Sequence, residues 1–106
     1  METNIIQIIK WSQEHQPTEA ELYQLFEDEH LIPYRWSNGA NDVYAAHKHS
    51  YHKVIYIVSG SITFGFPIVG EPTTLCTGDR LELPANVQHN AVVGADGVVC
   101  LEARRG

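Results

Sequence analysis

From Tyr34 onward the chain is a succession of short runs rich in Val, Ile, Tyr, Phe and Thr, each closed by turn residues. The breaks fall at Ser37-Asn38-Gly39, Ser59-Gly60, Phe66-Pro67, Val69-Gly70-Glu71-Pro72, Thr77-Gly78-Asp79, Pro84-Ala85-Asn86 and Gly94-Ala95-Asp96-Gly97. Glycine and asparagine tolerate positive φ and proline removes a ladder donor, so such clusters end strands rather than extend them. The spacing predicts strands near 34–37, 42–49, 53–58, 61–66, 73–76, 80–83, 88–93 and 98–103, the rhythm of a sandwich or barrel.

The first third reads differently. Ile5, Ile6, Ile8 and Ile9 suit a β-branched strand, and the same spacing also fits a short helical stripe; we take the strand. Thr18 followed by Glu21 is a capping box for a helix whose apolar face is Leu22, Leu25 and Phe26, with an end expected near Pro33. With 106 residues there is one core to bury. Residues 1–33 are expected to pack as strand and helix on a barrel of residues 34–106, in one folding unit.

Charge narrows the partners. Residues 1–30 carry one positive side chain and seven negative ones, whereas residues 31–106 carry six of each. A net charge of −6 disfavours nucleic acid, and the acidic segment reads as a solvated face. No apolar run reaches the ~20 residues of a membrane helix. Together with no recognisable signal segment, this gives an expected cytoplasmic location and no membrane partner. Cys76 and Cys100 have no CxxC spacing and are expected to be reduced, buried thiols.

The histidines carry the chemistry. His47 and His49, two apart on a strand, project from one face and form a natural clamp for a borderline metal, with Val43 and Ala45 on the same face leaving room beside them. The stretch from His47 to Gly60 resembles the first motif of the cupin superfamily, H-x-H, then Glu, then Gly. Gly78, Asp79, Pro84 and His89 resemble the second motif, G-x5-P-x-G-x2-H. The resemblance spans residues 41–93. It implies an all-β, cupin-like jelly-roll β-barrel with one N-terminal helix, a metal held by His47, His49 and His89, and a homodimer. A dimer would also cover edge strands, and the apolar Ile5 to Ile9 segment is the piece expected to cross to the partner.

Four positions depart from the pattern. The family's glycines fall on Asn41 and Asn86, its final asparagine on Val93 and its glutamate on Lys53. Asparagine substitutes for glycine in a left-handed turn. Lys53 instead puts an ammonium where the family has an anionic ligand. Three outcomes follow: Lys53 points away from a three-histidine site; it loses its proton near the metal and acts as a base or an anchor for an anionic substrate; or metal is absent and Lys53 binds a small ligand with the imidazoles. A one-residue register shift would bring His52 inward instead, so both Lys53 and His52 are candidate ligand-binding residues.

Tyr34 and Trp36 share a strand face and either wall a pocket or pack in the core. Glu82 and Glu102 are expected to face solvent, and His15 and His30 to lie on the surface. The resemblance implies a metal-dependent enzyme acting on a small polar molecule, a sugar or an organic acid, with Zn, Fe, Mn or Ni as the divalent metal. The alternative is a non-catalytic module that binds a small ligand with weak metal or none.

Overall fold

The computed structural model describes residues 5–68 and 70–105. Residues 1–4, with Glu2 of the acidic segment, Val69 of the turn Val69-Gly70-Glu71-Pro72, and Gly106 lie outside the described residues. The elements are β1 (Gln7–Ile9), α1 (Glu19–Asp28), β2 (Tyr34–Asn38), β3 (Val43–His47), β4 (His52–Gly65), β5 (Thr73–Cys76), β6 (Arg80–Leu83) and β7 (His89–Arg105).

Two long antiparallel strands, β4 and β7, organise everything else. Their outer ends (Lys53 opposite Arg104, Ile55 opposite Glu102) join the row β1-β6-β4-β7-β2. Their inner ends (Ile62 opposite Val93, Phe64 opposite Ala91) are flanked by β5 and β3. The strands thus bend from one half of the barrel into the other. The sequence reading splits each into two strands at Ser59-Gly60 and at Gly94 to Gly97, and the structure corrects this. Gly60 and Gly97 both have φ near +77°, and a Cβ on Gly60 would lie 2.0 Å from the Gly97 carbonyl oxygen. The ladder shifts register there without ending, so these glycines make a barrel corner rather than hairpin turns.

The barrel interior is filled by Ile55, Ile57, Ile62, Phe64, Leu75, Leu81, Leu83, Val93 and Cys100. A second core lies on the outside of the same sheet. There Leu22 and Phe26 of α1 cover Val54, Tyr56, Leu101 and Ala103, with the Phe26 and Tyr56 rings edge to face at 5.3 Å. Fully burying side chains of this size stabilises by roughly 1.5–3 kcal/mol each.

The Thr18 capping box forms as expected. The helix stops well before Pro33, because His30 takes φ 59° and the Leu31 and His30 amides donate to the Phe26 and Glu27 carbonyls. That pairing is a Schellman motif, closed here by a histidine in the place glycine usually holds.

β1 pairs with β6 of its own chain, Ile8 opposite Leu81, and Ile6 and Ile8 pack on the interior core. Within the single chain the segment thus covers the open edge of β6. Its following turn is clipped down: the Asp79 carboxylate accepts from the Trp11 and Cys76 amides and from Lys10, and the Trp11 side chain seats on Gly78. Cys76 is exposed, against expectation, because strand alternation turns its neighbour Leu75 inward; Cys100 is buried. Among the described residues no helix is long and apolar enough to cross a membrane.

Candidate metal centre

His47 closes β3 and pairs in register with His89 at the start of β7, while His49 follows in the loop. Ring centroids stand 4.3 Å apart for His47 and His89, 4.8 Å for His47 and His49, and 5.3 Å for His49 and His89. One ring nitrogen from each lies within 4.8 Å of the others. The loops bearing them are tied together, since Asn86, at φ 67°, donates its amide to the His49 carbonyl at 2.6 Å. Asn41 is also left-handed, at φ 63°, so both asparagines adopt the conformation that glycine serves in the two motifs.

The hydrogen bonds select the tautomers. A carbonyl oxygen only accepts, so His47 Nδ1 donates to Ala45 at 2.7 Å and His89 Nδ1 donates to Val87 at 3.0 Å. Each therefore keeps its Nε2 lone pair free. His49 Nδ1 contacts the Tyr51 hydroxyl at 3.3 Å, and its Nε2 is buried with no hydrogen-bond partner. An orphaned buried nitrogen beside two preset lone pairs is the donor set a divalent metal requires, with the backbone carbonyls fixing ring orientation. Burial, then the Lys53 ammonium and the two other imidazoles, pushes the His49 pKa down to about 4. Burial also lowers that of His89. These two rings are thus neutral, as metal ligands must be.

Lys53 lies in the same cavity, which corrects the expectation that it might point away. Its ammonium pairs with Glu102 at 3.1 Å, and the two side chains are only 12% and 2% exposed. Glu102 also accepts from the Tyr34 hydroxyl and, at 3.2 Å, from Trp36 Nε1. Strand register explains the cluster: Tyr34 is directly opposite Glu102 across β2 and β7, while Lys53 and Trp36 are its diagonal neighbours. Burial and the adjacent carboxylate raise the Tyr34 pKa, so the phenol keeps its proton.

Glu102 is therefore an interior residue, not the solvent-facing one expected. Glu82 does project from the outer face, yet it is largely covered by Arg80, Arg105 and His52. His52 bonds to Glu82 at 3.0 Å and does not line the cavity, so the register-shift expectation for it is corrected. His15 and His30 are exposed. Tyr34 and Trp36 resolve as pocket walls.

The cavity measures about 360 Å³. Its polar groups are the three imidazoles and the Lys53–Glu102 pair, with Asn38 and Tyr44 bonded to each other beside them. Ile55, Ile62, Phe64 and Ala91 supply the apolar lining.

Solved structures share this architecture. A DUF861 family protein from Thermotoga maritima superposes with a TM-score of 0.66 at 15% identity, covering 95% of this chain and 100% of its own. An RmlC-like cupin from Shewanella frigidimarina gives 0.60 at 23% identity over 70% of this chain and 64% of its own. The chain has the cupin fold. The crystal structures of two DMSP lyases include a chain matched with a TM-score of 0.59 at 26% identity, over 68% of this chain and 35% of that chain. No protein-family model matches the sequence, and no curated protein is similar to it. In this cupin barrel the three motif histidines form a group that could hold a metal.

Proposed function

We propose that the protein holds a divalent transition metal on His47, His49 and His89 and is a metal-dependent enzyme acting on a small polar molecule. The observation that carries this is the preset donor set: two imidazoles locked with Nε2 free, and a third whose buried Nε2 has no other partner. A bound Zn, Fe, Mn or Ni ion would supply Lewis acidity there.

The chain's own residues provide the remainder. Glu102 is the carboxylate nearest the three imidazoles' cavity and would orient a ligand there, held in place by Lys53, Tyr34 and Trp36. Tyr34 keeps its proton and is the neighbouring donor. The apolar lining limits competing water around these groups. The DMSP lyase neighbour supports an enzymatic use of this fold, although fold alone does not select a reaction.

Elemental analysis of protein prepared without a histidine tag tests the reading. About one equivalent of transition metal is expected, lost in His89→Ala, with affinity falling more than the ~100-fold typical of outer-shell changes. Metal below about a tenth of an equivalent after reconstitution would reject it. The second reading, a non-catalytic binder, is favoured by the cation at Lys53 and would stand if metal is absent while a small ligand still binds.

A further inference from the structure

We infer that the occupant of this cavity is a small carboxylic acid with a compact apolar body, its carboxylate recognised by Lys53. The inference rests on the three-histidine reading and narrows its ligand from any small polar molecule to one chemical class.

The first argument is charge. Metal-bound imidazoles are neutral ligands, and Lys53 and Glu102 cancel each other, so a divalent ion on the three histidines keeps its full charge. Among the described residues, Glu102 is the only carboxylate lining the cavity, and its side chain is committed to Lys53, Tyr34 and Trp36. A partly enclosed, uncompensated cation draws an anion. That anion has to come with the ligand.

The second argument is hydrogen-bond capacity. An ammonium has three N–H donors, and the one partner of Lys53 among the described residues is the ion-paired carboxylate of Glu102 at 3.1 Å. Donors therefore remain on a largely buried group that lines the cavity. An anionic oxygen is the acceptor that would satisfy them best, since charge-assisted bonds are about twice as strong as neutral ones.

The apolar lining favours a hydrocarbon body over a sugar ring. Trp36, Ile55, Ile62, Phe64 and Ala91 form an extended apolar surface in the cavity. A hydroxyl placed against that surface finds no partner on it, at a cost of about 1–3 kcal/mol for each one left unpaired. A hydrocarbon body gains from the same surface. With roughly 30 Å³ per water-sized group, the cavity takes an acid of about a dozen non-hydrogen atoms at most.

Isothermal titration of zinc-reconstituted protein with benzoate, its neutral isostere benzamide, and glucose tests the proposal, with zinc content measured on every sample. Benzoate is expected to bind at least about tenfold tighter than benzamide, and glucose not to bind. Lys53→Met should weaken benzoate about tenfold and leave benzamide unchanged, while Lys53→Arg retains most of the affinity. Glu102→Gln should tighten benzoate, because it removes a competing negative charge; a purely structural role for the pair would weaken binding in both variants. If Lys53→Met does not fold, the benzamide comparison and Glu102→Gln still decide. Equal affinity for acid and amide, or weaker benzoate binding in a zinc-loaded Glu102→Gln, overturns the inference. Protein that takes up no zinc overturns the metal reading instead.

Discussion

His52 and Lys53 are adjacent on one strand and serve two charge networks on opposite sides of the same sheet. Outside, Arg80 donates to both oxygens of Glu29, to Glu82 and to the Tyr56 hydroxyl. Arg105 reaches Glu29, and His52 reaches Glu82. That network ties the end of α1 to β4, β6 and β7. Inside, Lys53 pairs with Glu102 alone among the described residues. Burial does not separate the two cations, since the Arg80 and Lys53 side chains are 9% and 12% exposed. The number of partners does. Arg80 makes four hydrogen bonds to Glu29, Tyr56 and Glu82, with only its Nε lacking a partner, whereas Lys53 has the single ion-pair partner Glu102 among the described residues. A buried charge held by three residues fixes a fold; one held by a single residue beside a cavity has donors to offer a ligand.

The comparison is broken most severely from the inside. Lys53→Met leaves Glu102 as a buried carboxylate without its cation, and metal-free protein should lose about 3–5 kcal/mol, read from the urea midpoint. Metal should restore part of this loss, which it would not do for a defect in the outer network.

A smaller effect is expected outside. Glu29→Gln weakens both arginine contacts, and a loss of about 1–3 kcal/mol at neutral pH is expected. The Arg80 and Arg105 contacts hold the Glu29 pKa near 2, below its ordinary 4.5. Its contribution is thus complete above pH 4.5 and is lost as pH falls toward 2. Between pH 7 and pH 3 the wild type should therefore lose more stability than Glu29→Gln; parallel pH curves would show that the pairing contributes nothing.

Thr18→Ala removes the helix cap and should cost about 1 kcal/mol without changing metal content. Smallest of all, His52→Ala should cost under about 1 kcal/mol and leave metal binding intact, in contrast to His89→Ala. Metal loss in His52→Ala would place that residue in the inner network after all.

How much of this was legible depended on whether a strand had one buried face or two. His47, His49 and His89 could be placed from the two motifs, and the asparagines from their glycine positions, but strand parity misled: β3 shifts register between Tyr44 and His47, Tyr44 rather than Val43 and Ala45 lines the cavity, and His49 lies in the loop beyond the strand. The capping box at Thr18 was equally local. Glu102 was not legible. Over Cys100, Leu101, Glu102 and Ala103, β7 is buried on one face by the barrel and on the other by α1, so no polar and apolar alternation distinguishes inside from outside. The signal that would have found Glu102 is the mismatch itself: a cation in the family's glutamate position calls for a carboxylate nearby. Gly60 and Gly97 misled for a related reason, since a bulge within a continuous strand and a turn between two strands require the same residue.

The two tryptophans of the chain have separate duties. Trp36 donates its indole N–H to Glu102 inside the cavity, and Trp11 lies on Gly78 beyond the barrel wall. Replacing Trp11 with phenylalanine would therefore leave a protein whose indole emission comes from the binding site alone, an intrinsic optical reporter with which to screen candidate acids before any reaction is known.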